Sequence, residues 1–421
     1  MQNGFRCVIG SHASIFALLA AKKERAGVFF DKGTLPSART KWISSKCEYI
    51  VVMDQELGPP LENPLEHLVG WPSRIYPGTE EFIDKYLCVG PKTYQAALIR
   101  FSDTPEKVSL TGWPRVDIWR KLGFSIYKEE IQLIKKKHGS YLLFVSDFGL
   151  NEDENVYIEG LKCVSPTDLN FQKTLKSIRK WDLNPEIPKI VIRPHITEDK
   201  RLWEKVLGEV SKTEIHKEFN VTPWVLASEG IIHRGSTVAL EAKLAGKDVF
   251  FLKESSKNEK NLFSDLLSDA LVHSDFESPF PKIEGSKTSI PSALRDYVLI
   301  EEFDAVSRVV AELVSLRPMH ELPTSKLQIL FSQVRIKNLI RLAGLIKHEV
   351  NWKLGTTDQP PYSHCFPGGI KRKDFKKVLN SNETYLNVKV RALTFNCWEF
   401  DHRWSSKGPI IRRTGRNLNE F

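Results

Sequence analysis

The sequence predicts an α/β protein in which parallel strands alternate with helices, in two doubly wound halves that face a common cleft. Three observations lead there. Short apolar runs alternate with stretches of helical periodicity along most of the chain, the pattern of helices covering both faces of parallel sheets. Several of these runs end in a polar turn, where open α/β sheets bind ligands. The chain has 421 residues, enough for two domains of ordinary size and an extension.

In order, strands are expected over 6–9, 49–53, 85–89, 107–110, 141–145, 189–192, 230–232 and 249–252. Helices are expected over 15–23, 93–101, 128–137, 200–207 and 238–244, and later over 301–316 and the basic 325–349. The lysine-rich stretch 127–139 marks a domain boundary, and 151–180 reads as a polar insert or helix. Three regions follow: an N-terminal domain over 1–135, a second domain over 136–320, and a basic helical extension over 321–421.

The net charge of +9 favours an anionic partner: a polyanion, a phosphorylated substrate or an anionic membrane face. Six cysteines without a CxxC or a Cys/His cluster of ligand spacing exclude a recognisable zinc motif, and no metal or cofactor is expected. Cys47 and Cys88 fall in or beside apolar strands, so buried thiols and a cytoplasmic setting are the default. No apolar run approaches the ~20 residues of a membrane helix, and residues 1–10 lack a signal-peptide core. Any membrane contact would be at the inner face, from outside the bilayer.

Five polar turns are candidate sites. The most informative is Glu229 to Leu252, EGIIHRGSTVALEAKLAGKDVFFL, which reads as strand, loop, helix, strand. Its loop His233-Arg234-Gly235-Ser236-Thr237 ends at a helix start, where free N–H groups and the helix dipole favour an anion. Glu241 lies one turn beyond Thr237 on the same face, placed to take a sugar hydroxyl. Alone, the loop reads equally as a serine cap with a capping-type acid. The second turn, Arg193-Pro194-His195, could bind phosphate or protonate a leaving group, or be a turn satisfied by backbone. In the third, a strand delivers Asp54 and Glu56 to its carboxyl end, alternate residues that point the same way and suit a general base. They could equally be loop acids that cap a following segment. The fourth is Gly112-Trp113-Pro114-Arg115-Val116-Asp117, a turn whose Arg115 and Asp117 could line a cleft or pair with each other; the fifth is Ser11-His12. Phosphate-loop, GxGxxG, GxSxG and HExxH motifs do not occur, which argues against P-loop ATPases, simple dehydrogenases, α/β-hydrolases and zinc peptidases.

The order D-Q-E-L-G, T-G-W-P-R-V-D, I-R-P-H and P-W-V-L-A-S-E-G-I-I-H-R-G-S-T-V-A-L-E-A resembles the bacterial surface carbohydrate biosynthesis family, over roughly residues 4–253. The T-G-x-P-R-x-D and R-P-H elements also resemble teichoic-acid glycerophosphotransferases. The set of an acidic motif, a His-Pro turn and a Ser-Thr pair resembles sialyltransferases and Kdo transferases that use CMP-sugars. The resemblance implies a GT-B-type fold: two Rossmann-like domains around a cleft, no bound metal, and late helices that return to the first domain. It implies a nucleotide-sugar donor, CMP-linked by preference, a glycan or lipid-linked acceptor, and no nucleic acid. Glu56 or Asp54 would be the base, and His195 would meet the phosphate or leaving group. Arg193, His233, Arg234, Gly235, Ser236 and Thr237 would hold the nucleotide, with Glu241 on the ribose; Ser11, His12, Gly112, Arg115 and Asp117 would line the cleft. The sequence departs from that pattern: Gln55 interrupts the acidic pair, Ile196 follows His195 where the family has Pro, and relatives carry a further strand and helix before the segment matching 4–10. The first β-α unit is therefore expected to be absent or supplied differently. Alternatives are a CDP-alcohol glycerophosphotransferase, a UDP-sugar epimerase, or a scaffold of this type that binds without catalysis.

Overall fold

The uninterrupted apolar runs become strands buried on both faces, as parallel sheets covered by helices require. The protein is seen in a computed structural model, which describes residues 7–10, 12–20, 25, 27–53, 75–150, 157–158, 161–162, 164–195, 198, 200–217, 220–252, 271–274, 290, 292–300, 305–318, 389–394 and 397–401. Its strands are β1 (Cys7–Gly10), β2 (Val28–Asp31), β3 (Tyr49–Met53), β4 (Lys85–Cys88), β5 (Val108–Leu110), β6 (Tyr141–Val145), β7 (Tyr157–Ile158), β8 (Leu161–Lys162), β9 (Lys189–Arg193), β10 (Glu214–Ile215), β11 (Gly230–His233), β12 (Asp248–Leu252), β13 (Leu271–Ser274), β14 (Lys389–Thr394) and β15 (Cys397–Asp401). The chain divides into two units: Met1–Phe29 with Lys41–Ile50 and Val314–Phe421, and Phe30–Thr40 with Val51–Leu313.

The smaller unit holds a three-stranded sheet in the order β1-β15-β14, with both pairings antiparallel. The sequence reading placed the first strand among parallel ones. Cys7 and Ile9 are exposed while Val8 is half-buried. A strand covered on one face suits an antiparallel ribbon and lacks the two-sided burial of a parallel core. Within 321–421 the described residues are these two C-terminal strands; the expected helix over 325–349 lies outside the described residues.

The larger unit contains the parallel sheets. From Phe30 and Val51 onward it includes most of a four-stranded sheet ordered β2-β3-β4-β5. The second sheet has six strands in the order β10-β9-β6-β11-β12-β13, every pairing parallel. Numbered from its first strand, this is 3-2-1-4-5-6, the doubly wound order. The α/β expectation with parallel sheets is met.

The core of the six-stranded sheet follows from the strand period. Leu142 and Phe144 of β6 and Ile190 and Ile192 of β9 join Phe171, Leu175, Ile178 and Trp181 on one face. The last four recur at helical spacing on the Leu169–Leu183 helix, whose N-cap Asp168 accepts from Asn170 N and Phe171 N at 2.9 Å each. On the other face, Tyr141 donates its hydroxyl to Trp224 O at 2.7 Å. There the Val221–Ala227 helix packs on Lys128–His138, whose Ile131, Ile134 and His138 are buried.

After the six-stranded sheet the chain returns to the four-stranded one through the helices Ser292–Tyr297 and Ala305–Leu316. Leu299 N donates to Val89 O at 2.9 Å, and Arg308 Nε to Thr111 O at 2.6 Å. The return demands glycine at Gly90, where a Cβ would stand 1.9 Å from Tyr297 O. Among the described residues no helix is long and apolar enough to cross a membrane.

Asp182 fastens the sheet's outer loop. Its carboxylate is buried and accepts from the backbone N–H of Ser211, Lys212 and Thr213 and the hydroxyls of Ser211 and Thr213, at 2.7–3.0 Å. Burial opposes ionisation, but these donors, Thr213 first, prevail and hold the carboxyl well below the usual range. Its stabilising effect is therefore full above the unfolded carboxylate value of about 3.9 and lost as pH falls through its lower folded value. Asp182→Asn should cost about 1–3 kcal/mol in urea denaturation at pH 7, and its deficit should shrink in strong acid.

Candidate functional site

In the order β10-β9-β6-β11-β12-β13 the direction of winding reverses between β6 and β11. Loops leaving the carboxyl ends of those strands part to opposite sides and leave a crevice. The β6 loop is Ser146-Asp147-Phe148-Gly149, and the β11 loop is Arg234-Gly235-Ser236-Thr237. They approach closely: a Cβ on Gly235 would lie 3.4 Å from Asp147 Oδ2. The Arg234 guanidinium covers the Phe148 ring at 4.1 Å, a cation–π contact across the same gap.

Asp147 is the chemically distinctive group. Its Oδ1 is buried with no hydrogen-bond partner among the described residues. Burial pushes its carboxyl up to about 6; Arg234 and His195 pull it down, and Glu198 pushes it further up. A carboxyl near neutrality can both give and take a proton. Beneath it, the buried Glu198 accepts from Ser146 Oγ at 2.7 Å, Gly149 N at 2.8 Å and Trp203 Nε1 at 2.6 Å. Burial raises the Glu198 pKa in spite of those donors. This carboxyl fixes the β6 loop from the β9 side.

Ser236 Oγ accepts from Val238 N at 3.3 Å, so it caps the Val238–Leu244 helix. Gly235 and Ser236 are half-buried and Thr237 is exposed. Glu241 is buried within that helix, and its Oε1 meets Arg115 Nη2 at 2.7 Å. Its Oε2 has no hydrogen-bond partner among the described residues. Burial pushes the Glu241 carboxyl up to about 7, with Arg115 opposing. The pair is asymmetric, with Arg115 44% exposed at its side chain and Glu241 only 3%. It ties the turn after β5 to the helix after β11, and Arg115 also lies over Trp113 at 5.2 Å. Gly112 makes that turn at φ +82°, a backbone that favours glycine.

Several expected site residues have other work. His233 is fully buried at the end of β11, packed on Phe251 at 5.3 Å. Burial pushes its imidazole down to about 3, so it stands in the core as a neutral ring. Arg193 is buried, donates to His216 O at 3.2 Å and faces Trp224 at 5.9 Å, so it braces β10 where phosphate binding was expected. Asp117 is buried and accepts from Val306 N at 3.1 Å, so it holds the start of the Ala305–Leu316 helix. His12 is exposed and stacks on Phe16 at 5.4 Å in the smaller unit. His195 is half-buried and near enough to Asp147 to influence its charge. Asp54, Glu56 and Ser11 lie outside the described residues.

The structure thus brings together Arg234, Gly235, Asp147 and His195, and separately Arg115 with Glu241. The sequence reading passed over Asp147, although Phe144-Val145-Ser146-Asp147-Phe148-Gly149 carries the polar turn at a strand end used to find the other candidates.

No protein-family model matches the chain, and no curated protein matches it in sequence. Among solved structures it is similar to the UDP-GlcNAc 2-epimerase of Methanocaldococcus jannaschii, with 13% identity, 73% of this chain and 83% of that one covered, and a TM-score of 0.46. It is similar to the wall teichoic acid polymerase TagF, with 12% identity, coverage of 70% and 90%, and a TM-score of 0.43. It is also similar to the UDP-GlcNAc 2-epimerase of Neisseria meningitidis, with 16% identity, coverage of 68% and 76%, and a TM-score of 0.39.

Asp147 yields a paired prediction. Burial pushes the carboxyl from its unfolded value of about 3.9 up to about 6, so its contribution to stability is full below about 4 and lost as pH rises through about 6. Asp147→Asn should therefore raise the melting temperature at pH 7.5 relative to wild type. If Asp147 handles a proton in turnover, the same variant should lose about 100-fold or more in kcat. Calorimetry and a pH–rate profile check the two limbs.

Proposed function

We propose that the protein is a nucleotide-sugar-dependent glycosyltransferase of surface glycan synthesis, with its donor bound in the crevice between β6 and β11. The observation that carries this reading is Glu241. A buried carboxyl with one oxygen on a half-exposed arginine and the other unpartnered among the described residues is a costly arrangement without a ligand. A ribose diol supplies the two donors such an acceptor requires. Arg234 and the backbone around Gly235 and Ser236 would face the phosphates, offsetting charge on the leaving group. Asp147 and His195 would stand beside the scissile bond as proton donor or acceptor. Asp54 and Glu56 remain the proposed base on the acceptor side.

The donor is proposed to be CMP-linked, from the resemblance of the acidic, R-P-H and Ser-Thr elements. A CDP-alcohol is the second reading, favoured by the T-G-W-P-R turn and its Arg115 at Glu241. The proposed domain limits are 1–135, 136–320 and 321–421. The proposed setting is cytoplasmic, at the inner membrane face, with a glycan or lipid-linked acceptor.

Calorimetry with CMP, CDP and UDP ranks the donors, and turnover of a CMP-sugar against CDP-glycerol separates the two readings. Wild type should prefer CMP to 2′-deoxy-CMP. Glu241→Gln should weaken CMP by about 10-fold, roughly 1.4 kcal/mol, and erase that preference. Because the Glu241 carboxyl ionises near 7, wild-type affinity should rise between pH 6 and 8, and the variant's should stay flat. Full CMP affinity in Glu241→Ala would exclude this placement.

A further inference from the structure

On the β10 edge of the six-stranded sheet, two strands from β6, three metal-ligating side chains converge. His138 ends the Lys128–His138 helix, and Glu214 and His216 stand two residues apart at β10. One donor atom from each lies within 4.8 Å of the other two. Glu214 Oε2 is 2.6 Å from His138 Nδ1 and 2.9 Å from His216 Nε2. Two imidazole nitrogens thus aim at one carboxylate oxygen.

The surroundings hold these donors in place. Trp224 stacks on His216 at 5.0 Å and 21°, and tilts against His138 at 5.2 Å. The two imidazoles meet at 4.6 Å. Lys189 Nζ takes the other Glu214 oxygen at 2.6 Å, orienting the carboxylate as outer partners orient metal ligands. His138 is buried, whereas Glu214 is 34% exposed at its side chain, so one side of the cluster is open to an entering ion.

We propose that His138, Glu214 and His216 form a site for a late first-row divalent cation, with zinc as the type. Two nitrogens and one oxygen suit zinc, cobalt, nickel or copper rather than magnesium or calcium. Zinc would sit about 2.0–2.2 Å from each donor and leave a fourth position for water. A tetrahedral face of that size has edges of about 3.4 Å, so Glu214 Oε2 would draw about 0.8 Å further from His138 Nδ1 and about 0.5 Å further from His216 Nε2. In the ion-free cluster each imidazole donates to Glu214 from the nitrogen that faces it; ligation would move that proton to the other ring nitrogen, so no net proton need leave the protein.

Charge around the cluster decides whether a dication prevails. Lys189 and Lys137 are the nearby cations, with Arg193 behind His216, and they oppose it. Lys189 Nζ engages only the far oxygen of Glu214, at 2.6 Å, and leaves Oε2 to the two imidazoles. Ligation by three fixed donors outweighs repulsion from ammonium groups that remain solvated. The ion would clip the end of the Lys128–His138 helix to the β10 edge, about 75 residues on, and so stabilise the folded chain.

The test uses the full chain, stripped by a chelator and free of nucleotide. Zinc chloride titrated in a calorimeter should bind at one per chain with a Kd of about 1 μM or tighter, and raise the melting temperature by several degrees. Cobalt should give the visible absorption of a four-coordinate site. Glu214→Gln, which keeps shape, and His216→Ala should each weaken zinc at least 10-fold; if His216→Ala does not fold, Glu214→Gln decides. No binding, or binding unchanged in Glu214→Gln, overturns the site. CMP titration of the same zinc-free protein reports on the crevice separately.

Discussion

The chain winds outward from β6 in two directions, and the placement of every group in the candidate crevice depends on that reversal. β6 is paired on both edges and its five residues are all buried. Its polar groups can appear only where the strand ends. Helices following β9 and β11 must cover opposite faces, so their first turns diverge there. The gap is a consequence of topology, and the side chains beside it are those that happen to leave β6, β9 and β11 at that level: Asp147, His195 and Arg234.

A gap lined by such groups is destabilising unless the loops are held, and Glu198 holds them. It is buried and takes three donors from the β6 loop and Trp203. Lys217 also donates to its carbonyl from beyond β10. A buried carboxyl used this way stabilises a loop shape at the expense of its own ionisation. Asp147, the second residue of that loop, receives no comparable set of donors among the described residues. The β6 loop is therefore held by one carboxyl satisfied by protein and presents another that is not. This division separates a structural acid from a candidate reactive one: Glu198 is buried and fully engaged, while Asp147 is half-buried with its Oδ1 unpartnered among the described residues.

Strand positions were legible because burial on both faces demands uninterrupted apolar runs, and 141–145 and 249–252 carry them. The helix over 238–244 was legible to its ends through Ser236, Thr237 and Gly246. Short edges were not: β10 has two residues, too few for any period, and it carries Glu214. Partners distant in sequence were also hidden. Nothing in Asp117 announces Val306 N, and nothing in Arg193 announces His216 O. The burial of His233 was hidden for a subtler reason. It was taken as the first residue of a polar loop, but register pairs it with Phe251, making it the last residue of a strand. One position of slip converts a ligand contact into a core imidazole.

The Arg115–Glu241 pair is unequal in burial, and that inequality sets how firmly it is held. Removing Glu241 from water costs several kcal/mol, and one hydrogen-bonded ion pair to a solvated guanidinium returns only part of that. The remaining strain is concentrated on one side, because Arg115 stays largely hydrated. A ligand that brings two hydroxyls to Glu241 satisfies both oxygens, and releasing Arg115 to water costs little. Under the proposed function the freed guanidinium is then available to the donor's phosphate. The exchange would be favourable because the buried partner gains acceptor satisfaction while the exposed one loses an interaction that solvent had already weakened. An arginine buried as deeply as Glu241 would reverse the balance and act as a permanent clamp. The half-exposed position of Arg115, set by the Gly112 turn, therefore makes the pair exchangeable.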